Sequence, residues 1–298
     1  MYRLAHISDP HLGPLPPVRP RELMNKRFFG WLSWVRRRRA LHLPAVLSAL
    51  AADLKILGAD HLVVTGDLTN IALPCEFSQV AEWLGTLGSP ATISVIPGNH
   101  DAYVAVPWAD SLAKWQPFMQ SEDSETIAGP EGFPYVRHRG PLAIVGLSSA
   151  QPTPLFQAHG TLGESQLARL GPLLRRLGEE GRFRVVLLHH PPSLEGIAHR
   201  KRLVDAAPFR KVIAECGAEL VLHGHDHTFG REVIEGRDGP VPVLGIPSAS
   251  AAASGKKPLA HYQLYSIAKN GSGWDVGVMA RGYDPASGRF DETRSYSL

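Results

Sequence analysis

The sequence predicts an α/β fold made of two β-α halves, with helices on both faces of the sheets and a β-rich C-terminal part. Three observations carry this. Apolar runs of four to eight residues alternate with amphipathic stretches up to about residue 98, the alternation resumes between residues 142 and 225, and residues near 229–281 read as strands. Each apolar face needs a partner, so alternating elements of this kind stack as layers.

Taken in order, "RLAHIS" is the first strand, "LPAVLSALAADLKILG" an amphipathic helix, "HLVVTG" a strand, "FSQVAEWLGTLG" a helix and "TISVIPG" a strand. The long connection "PWADSLAKWQPFMQSEDSETIAGPEGFPY" is expected to be helical at first and a loop later. In the second half, "LAIVGLSS", "RVVLLHH" and "ELVLHGH" are strands. Between them lie "FRKVIAECG" and "GESQLARLGPLLRRLGEE", the latter with leucines at the spacing of a core-facing helix. No repeat, low-complexity tract or clean linker intervenes. Residues 1–298 are therefore expected to form a single domain with an aromatic and basic insertion at 14–40.

At 44% apolar and 20% charged residues, the chain can bury a large core. Cys75 and Cys216 lie far apart without CxxC spacing, which gives neither a disulfide framework nor a thiolate metal site. "YRLAHISDPHLG" lacks the basic and apolar regions of an export signal, and no run reaches the roughly 18 apolar residues of a membrane span. The expectation is a cytoplasmic protein, at most peripheral on the inner face of the membrane. Net charge is +3, yet Arg19–Arg39 holds eight Lys/Arg against Glu22 alone. A positive field confined to one insertion argues against nucleic acid as the partner.

Five short motifs fall at the ends of expected strands: "SDPH" with Asp9 and His11, "TGDL" with Asp67, "PGNHD" with Asn99 and His100, "LLHHPP" with His189 and His190, and "HGHDH" with His223, His225 and His227. Strand carboxyl ends in an α/β sheet converge on one crevice. One such motif is ordinarily a turn or a packed histidine; five in order are a site. Mixed oxygen and imidazole donors point to Mn, Fe or Zn, with Mn and Fe preferred. Seven ligand candidates exceed the need of one ion and imply two, about 3.5–4 Å apart, sharing a bridging carboxylate. "SASAAASGKK" fails as a nucleotide-binding loop, because Ser250 stands where its first glycine belongs and Lys257 where its last Ser/Thr belongs.

In these blocks, D-x-H, G-D, G-N-H-[DE], H and G-H-x-H, the chain resembles the calcineurin-like metallophosphoesterases over residues 9–227. The resemblance implies a four-layer α/β/β/α sandwich. It also implies one ion on Asp9, His11 and His227, a second on Asn99, His189 and His225, and Asp67 between them. A metal-bridging hydroxide would attack phosphorus, His100 would protonate the leaving oxygen, and Asp101 would orient His100. His190 would contact substrate or merely pack, while His223 and His6 would support the site by hydrogen bonds. "GNHD", "HHPP" and "GHDH" together resemble the bacterial phosphodiesterase branch, which favours diesters over monoesters. UDP-diacylglucosamine hydrolases of this family commonly carry Arg where this chain has His100.

"NKRFFGWLSWVRRRR" (residues 25–39) lies beside the expected site. As a helix it would align Phe28, Trp31, Leu32 and Val35, with Arg36–Arg39 at its end. Such a face packs on the enzyme or a second subunit, rests on an anionic membrane and admits a lipid phosphoester or a UDP-diacylglucosamine-type diphosphate, or clamps a nucleotide or nucleic acid by its charge. Two further alternatives are a nuclease and a non-catalytic scaffold of the same fold.

Overall fold

The computed structural model describes residues 1–122, 129–252, 257–271 and 273–298. In chain order the first half gives β1 (Tyr2–Ile7), α1 (Arg27–Ser33), α2 (Arg39–Leu41), α3 (Pro44–Leu57), β2 (His61–Val64), α4 (Pro74–Leu87) and β3 (Ile93–Val95). α3 and α4 both open on a proline, whose missing N–H is no loss in a first turn. The second half gives β4 (Tyr135–Arg139), β5 (Leu142–Gly146), α5 (Glu164–Glu179), β6 (Phe183–Leu187), α6 (Ala206–Cys216) and β7 (Leu220–His223).

The β-rich C-terminal part becomes β8 (Gly230–Ile234), β9 (Val241–Gly245), β10 (His261–Asn270), β11 (Gly273–Asp284) and β12 (Arg289–Ser297). Its strands divide between two six-stranded sheets, ordered β12-β11-β10-β1-β2-β3 and β4-β5-β6-β7-β9-β8. β10 pairs antiparallel with β1, placing the N-terminal strand inside its sheet. The period of two then assigns the layers. Ile144, Val185, Leu187, Leu220 and Leu222 share one core with the first sheet, α3 and α4. Val145, Val186, Val221 and Val243 share the other with α5 and α6. The result is the expected four-layer α/β/β/α sandwich.

Two segments depart from expectation. The connection after residue 107 is built of 3₁₀ turns, Trp108–Asp110 and Leu112–Phe118, and not an α-helix. Ser111 breaks the helical backbone at φ −131°, ψ −113°, and Pro117 has no N–H to continue a ladder. Its later part, residues 123–128, lies outside the described residues, as do Ser254, Gly255 and Lys256 of "SGKK".

The insertion is helical, but Trp34–Arg38 forms a π turn between α1 and α2. The residues α1 buries are Arg27 and Gly30, whereas Phe28 and Phe29 are 43% and 44% exposed. Arg27 spends its guanidinium on the Ile71 and Ala72 carbonyls at 3.1 and 2.5 Å. Gly30 lets the helix close on the body of the protein, where a Cβ would stand 2.6 Å from Ile71 Cγ2.

Candidate metal centre

Chain segments leaving β1, β2, β3, β6 and β7 at their carboxyl ends meet in one crevice. The first two are zipped together: the amides of Asp9, His11 and Leu12 donate to the carbonyls of Gly66, Asp67 and Leu68 at 2.9, 3.0 and 2.8 Å. Asp9, His11, Asp67, His225 and His227 all hold φ between 39° and 72°. That left-handed region costs a non-glycine residue roughly 1–2 kcal/mol. Five strained residues in one crevice indicate that side-chain placement is maintained against the backbone's preference. Gly98 is required for the same convergence, since a Cβ there would lie 2.3 Å from Asp67 Oδ1.

The donor atoms form two groups. In one, His227 Nε2 lies 3.0 Å from Asp9 Oδ1 and 3.4 Å from His11 Nε2. In the other, Asn99 Oδ1 lies 3.2 Å from His189 Nε2 and 2.8 Å from His225 Nδ1. Asp67 stands between them, with Oδ2 3.8 Å from His11 Nε2 and Oδ1 3.4 Å from His189 Nε2. Ligands about 2.1 Å from one ion stand about 3.0–3.4 Å apart, and four of these six spacings fall in that range, with 2.8 and 3.8 Å to either side. Asp9 Oδ1 is moreover buried without any hydrogen bond, which suits an atom reserved for a cation.

Hydrogen bonds fix the rings. His189 Nδ1–H donates to the Thr65 carbonyl at 2.7 Å and His11 Nδ1–H to the Thr69 carbonyl at 3.2 Å, leaving each Nε2 to face the crevice. Burial opposes charge on His189, but the carboxylates of Asp67 and Asp9 outweigh it and push the ring up to about 10. That imidazolium helps to hold Asp67 well below the ordinary carboxylate range. Two buried carboxylates thus draw positive charge onto whatever lies between them.

His100 sits beside the first group, its ring centroid 4.9 Å from that of His11 and stacked 5.5 Å from Tyr103. It is turned by the Asn70 carbonyl, which accepts from Nδ1 at 2.6 Å, and not by Asp101. The Asp101 carboxylate instead accepts from the amides of Thr69, Gly98 and Leu68 at 2.7, 2.8 and 3.3 Å, stitching the Asp67 loop to the Asn99 loop. Of the two roles expected for His190, contact with substrate or packing, the structure shows packing. The ring is fully buried, hydrogen-bonds the Ser149 hydroxyl through Nδ1 at 2.7 Å, and donates from Nε2 to the Ala158 carbonyl at 3.1 Å. His223 bonds the Gly224 carbonyl at 3.0 Å and His6 bonds Thr65 Oγ1 at 2.9 Å.

Two residues that the motifs do not reveal reach this site, Arg38 of the insertion and His42 just beyond it. His42 puts its ring 4.6 Å from His11 and groups with His11 and His227, while its Nδ1 meets Ser250 Oγ at 2.8 Å. Arg38 brings its guanidinium within 2.7 Å of His11 Nδ1 and 3.3 Å of His100 Nδ1. In the sequence Arg38 is one of four arginines in a row, and nothing there separates it from its neighbours.

Buried carboxylates and imidazoles gathered at the carboxyl edges of two facing sheets define a metal-binding α/β protein. The chain belongs to the calcineurin-like phosphoesterase family, whose sequence pattern matches residues 2–229. Its members depend on a dinuclear metal centre, and the chain is accordingly a metallophosphoesterase, a hydrolase of phosphoesters. A probable cyclic nucleotide phosphodiesterase of Synechococcus is 31% identical over 206 residues, 68% of this chain and 70% of that protein. A dimetal phosphatase from Danio rerio superposes with a TM-score of 0.64 at 11% identity, covering 100% of this chain and 98% of the other. A purple acid phosphatase from yellow lupin gives 0.60 at 11% identity, covering 99% of this chain and 53% of the other. At such identities the two structures speak for the fold.

Proposed function

We propose that the protein is a dinuclear phosphodiesterase in which Asp9, His11 and His227 hold one ion, Asn99, His189 and His225 the other, and Asp67 bridges them. The observation that carries this reading is Asp67 itself, directing one carboxylate oxygen towards each group of donors. When bound, the ions supply an activated water as nucleophile and neutralise charge developing on the phosphoryl oxygens. The chain's residues do the rest. Thr65 and Thr69 carbonyls orient two imidazoles, and Asn70 fixes the tautomer of His100. Burial and the neighbouring Arg38 lower the His100 pKa to about 4, so the resting ring is neutral. Its Nε2 then holds a lone pair at rest, so it would take up the proton released by the attacking water and pass that proton to the leaving oxygen.

Diesters are preferred because the Synechococcus relative is named for a cyclic phosphodiester, which makes a cyclic nucleotide the first substrate to assay. The decisive comparison is turnover of cyclic nucleotide, aryl phosphodiester and aryl monophosphate by protein loaded with Mn, Fe or Zn, against Asp67→Asn. We expect metal-dependent diester hydrolysis that Asp67→Asn abolishes, and about two ions per chain. A folded protein that takes up no metal would support the scaffold alternative instead.

A lipid-borne phosphoester is the second reading, and an exposed aromatic patch supports it. Phe28 packs on Phe29 and Phe29 on Phe156, with ring centroids 5.4 and 5.9 Å apart, and Phe156 is 71% exposed. Arg36, Arg37 and Arg39 are exposed nearby on the same insertion. This reading places a single domain, residues 1–298, in the cytoplasm with the insertion against the inner membrane surface. No helix among the described residues is long and apolar enough to cross that membrane.

A further inference from the structure

We propose that Arg38 is a substrate-contacting residue whose guanidinium binds the anionic oxygens of the phosphoryl group, a role that rests on the phosphoester reading above. With His11 and His100 in the tautomers that a metal-bound site requires, its donors have almost nothing to bind within the protein. Ligation of an ion through His11 Nε2 puts that ring's proton on Nδ1, towards the Thr69 carbonyl at 3.2 Å, and the Asn70 carbonyl, 2.6 Å from His100 Nδ1, accepts the proton of that ring. Arg38 Nη2 and Nη1 lie 2.7 and 3.3 Å from those same two nitrogens, which in that tautomer offer them no lone pair. The one acceptor it reaches is the Asn70 carbonyl, at 3.5 Å. Among the described residues no carboxylate lies within 4.0 Å of it, whereas buried Arg184 pairs with Glu219 at 2.6 Å and buried Arg27 spends its guanidinium on two carbonyls.

The placement is enforced. Lys26 ties the start of the insertion to Thr153 and Gln157, Arg27 ties α1 to Ile71 and Ala72, and Leu43 N bonds the Ser250 carbonyl at 3.1 Å beyond its end. Between these anchors the π turn rotates Arg38 inward while Arg36, Arg37 and Arg39 stay in solvent. π turns of this kind recur at functional sites. A fixed cation with empty donors, at the rim of a crevice built to hold further cations, is complementary to an anion. The planar guanidinium matches two phosphate oxygens at once.

The test uses inorganic phosphate as probe and metal-loaded protein throughout. Phosphate affinity is measured by calorimetry, and KM and kcat are measured on an aryl phosphodiester. Wild type is compared with Arg38→Gln, Arg38→Lys and the exposed control Arg37→Ala. A charge-assisted hydrogen bond lost from a desolvated site weakens binding about 10- to 100-fold. We expect that loss of phosphate affinity in Arg38→Gln, partial recovery in Arg38→Lys, wild-type affinity in Arg37→Ala, and two ions per chain in each. Unchanged phosphate affinity in Arg38→Gln with its metal retained would overturn the assignment, and so would a loss of affinity that merely tracks a loss of metal. If phosphate binds in an Arg38-dependent way but no phosphoester is turned over, the anion site stands and the hydrolase reading fails.

Discussion

His100 is held on three sides, by the Asn70 carbonyl at Nδ1, by Tyr103 against its face and by its own amide, which donates to Asp67 Oδ1 at 2.7 Å. Because the ring belongs to neither donor group, His100→Ala should retain its metal while kcat falls about 10²- to 10⁴-fold. Metal analysis beside initial rates checks this, and loss of metal would instead make the ring a ligand. Gly98→Ala should do the opposite. Its Cβ would press on Asp67 Oδ1 and, at 2.8 Å, on His189 Cε1, so the ligand shell opens and metal content itself drops. The candidate ligands were legible because carboxylates, an amide and imidazoles follow strand-like runs at fixed spacings. Asp101 and His190 read as functional only through adjacency to such residues, and in the fold their polar atoms are committed elsewhere. Arg38 and His42 left no trace, since their approach depends on a π turn that no periodicity announces.

Among the elements, the strands and helices with clean period two or 3.6 are where the sequence places them, while sheet membership depended on contacts across hundreds of residues. β10 pairs with β1 although 265 positions separate Tyr2 from Ile267, and local pattern carries no record of that register. The insertion is the instructive case, because its expected apolar face is not the face it buries. Arg27 and Gly30 take the interior, one by finding carbonyl acceptors and the other by having no side chain. Phe28 and Phe29 remain at the surface beside Phe156. Each phenylalanine removed from water contributes roughly 1.5–3 kcal/mol. Phe28→Ser with Phe29→Ser should therefore weaken cosedimentation with anionic phospholipid vesicles at least about tenfold, leaving turnover of a soluble aryl diester unchanged. If wild type ignores vesicles but sediments as a concentration-dependent dimer that the double variant lacks, the patch is a subunit contact.

Across the whole molecule, stability should carry an acid limb set by buried histidines, His61 remote from the crevice and His6 just behind it. His61 on β2 is 1% exposed, and its Nε2 bonds Ser94 Oγ at 2.8 Å. Burial first, then the charges of Arg139 and Arg137 against the partial offset of Glu122, lowers it to about 3 from an ordinary 6.5. His6 on β1 is lowered to about 3 as well, chiefly by burial. A base whose folded pKa is depressed binds fewer protons in the native state than in the unfolded one. Its stabilising contribution is therefore complete above about pH 6.5 and is lost as pH falls towards 3. Each such group removes about 1.4 kcal/mol per pH unit across that window. Two of them acting together consume much of a typical 5–15 kcal/mol by about pH 4. Urea unfolding at pH 7.5, 6, 5 and 4.5 should show wild type losing stability more steeply than His61→Gln by about one proton's worth below pH 6. Charges near the metal ligands change alike in both proteins and cancel in the difference. Parallel curves would mean that His61 either protonates in the folded state near its ordinary pKa or is replaced by Gln without altering proton uptake, and the acid limb would then belong to the crevice.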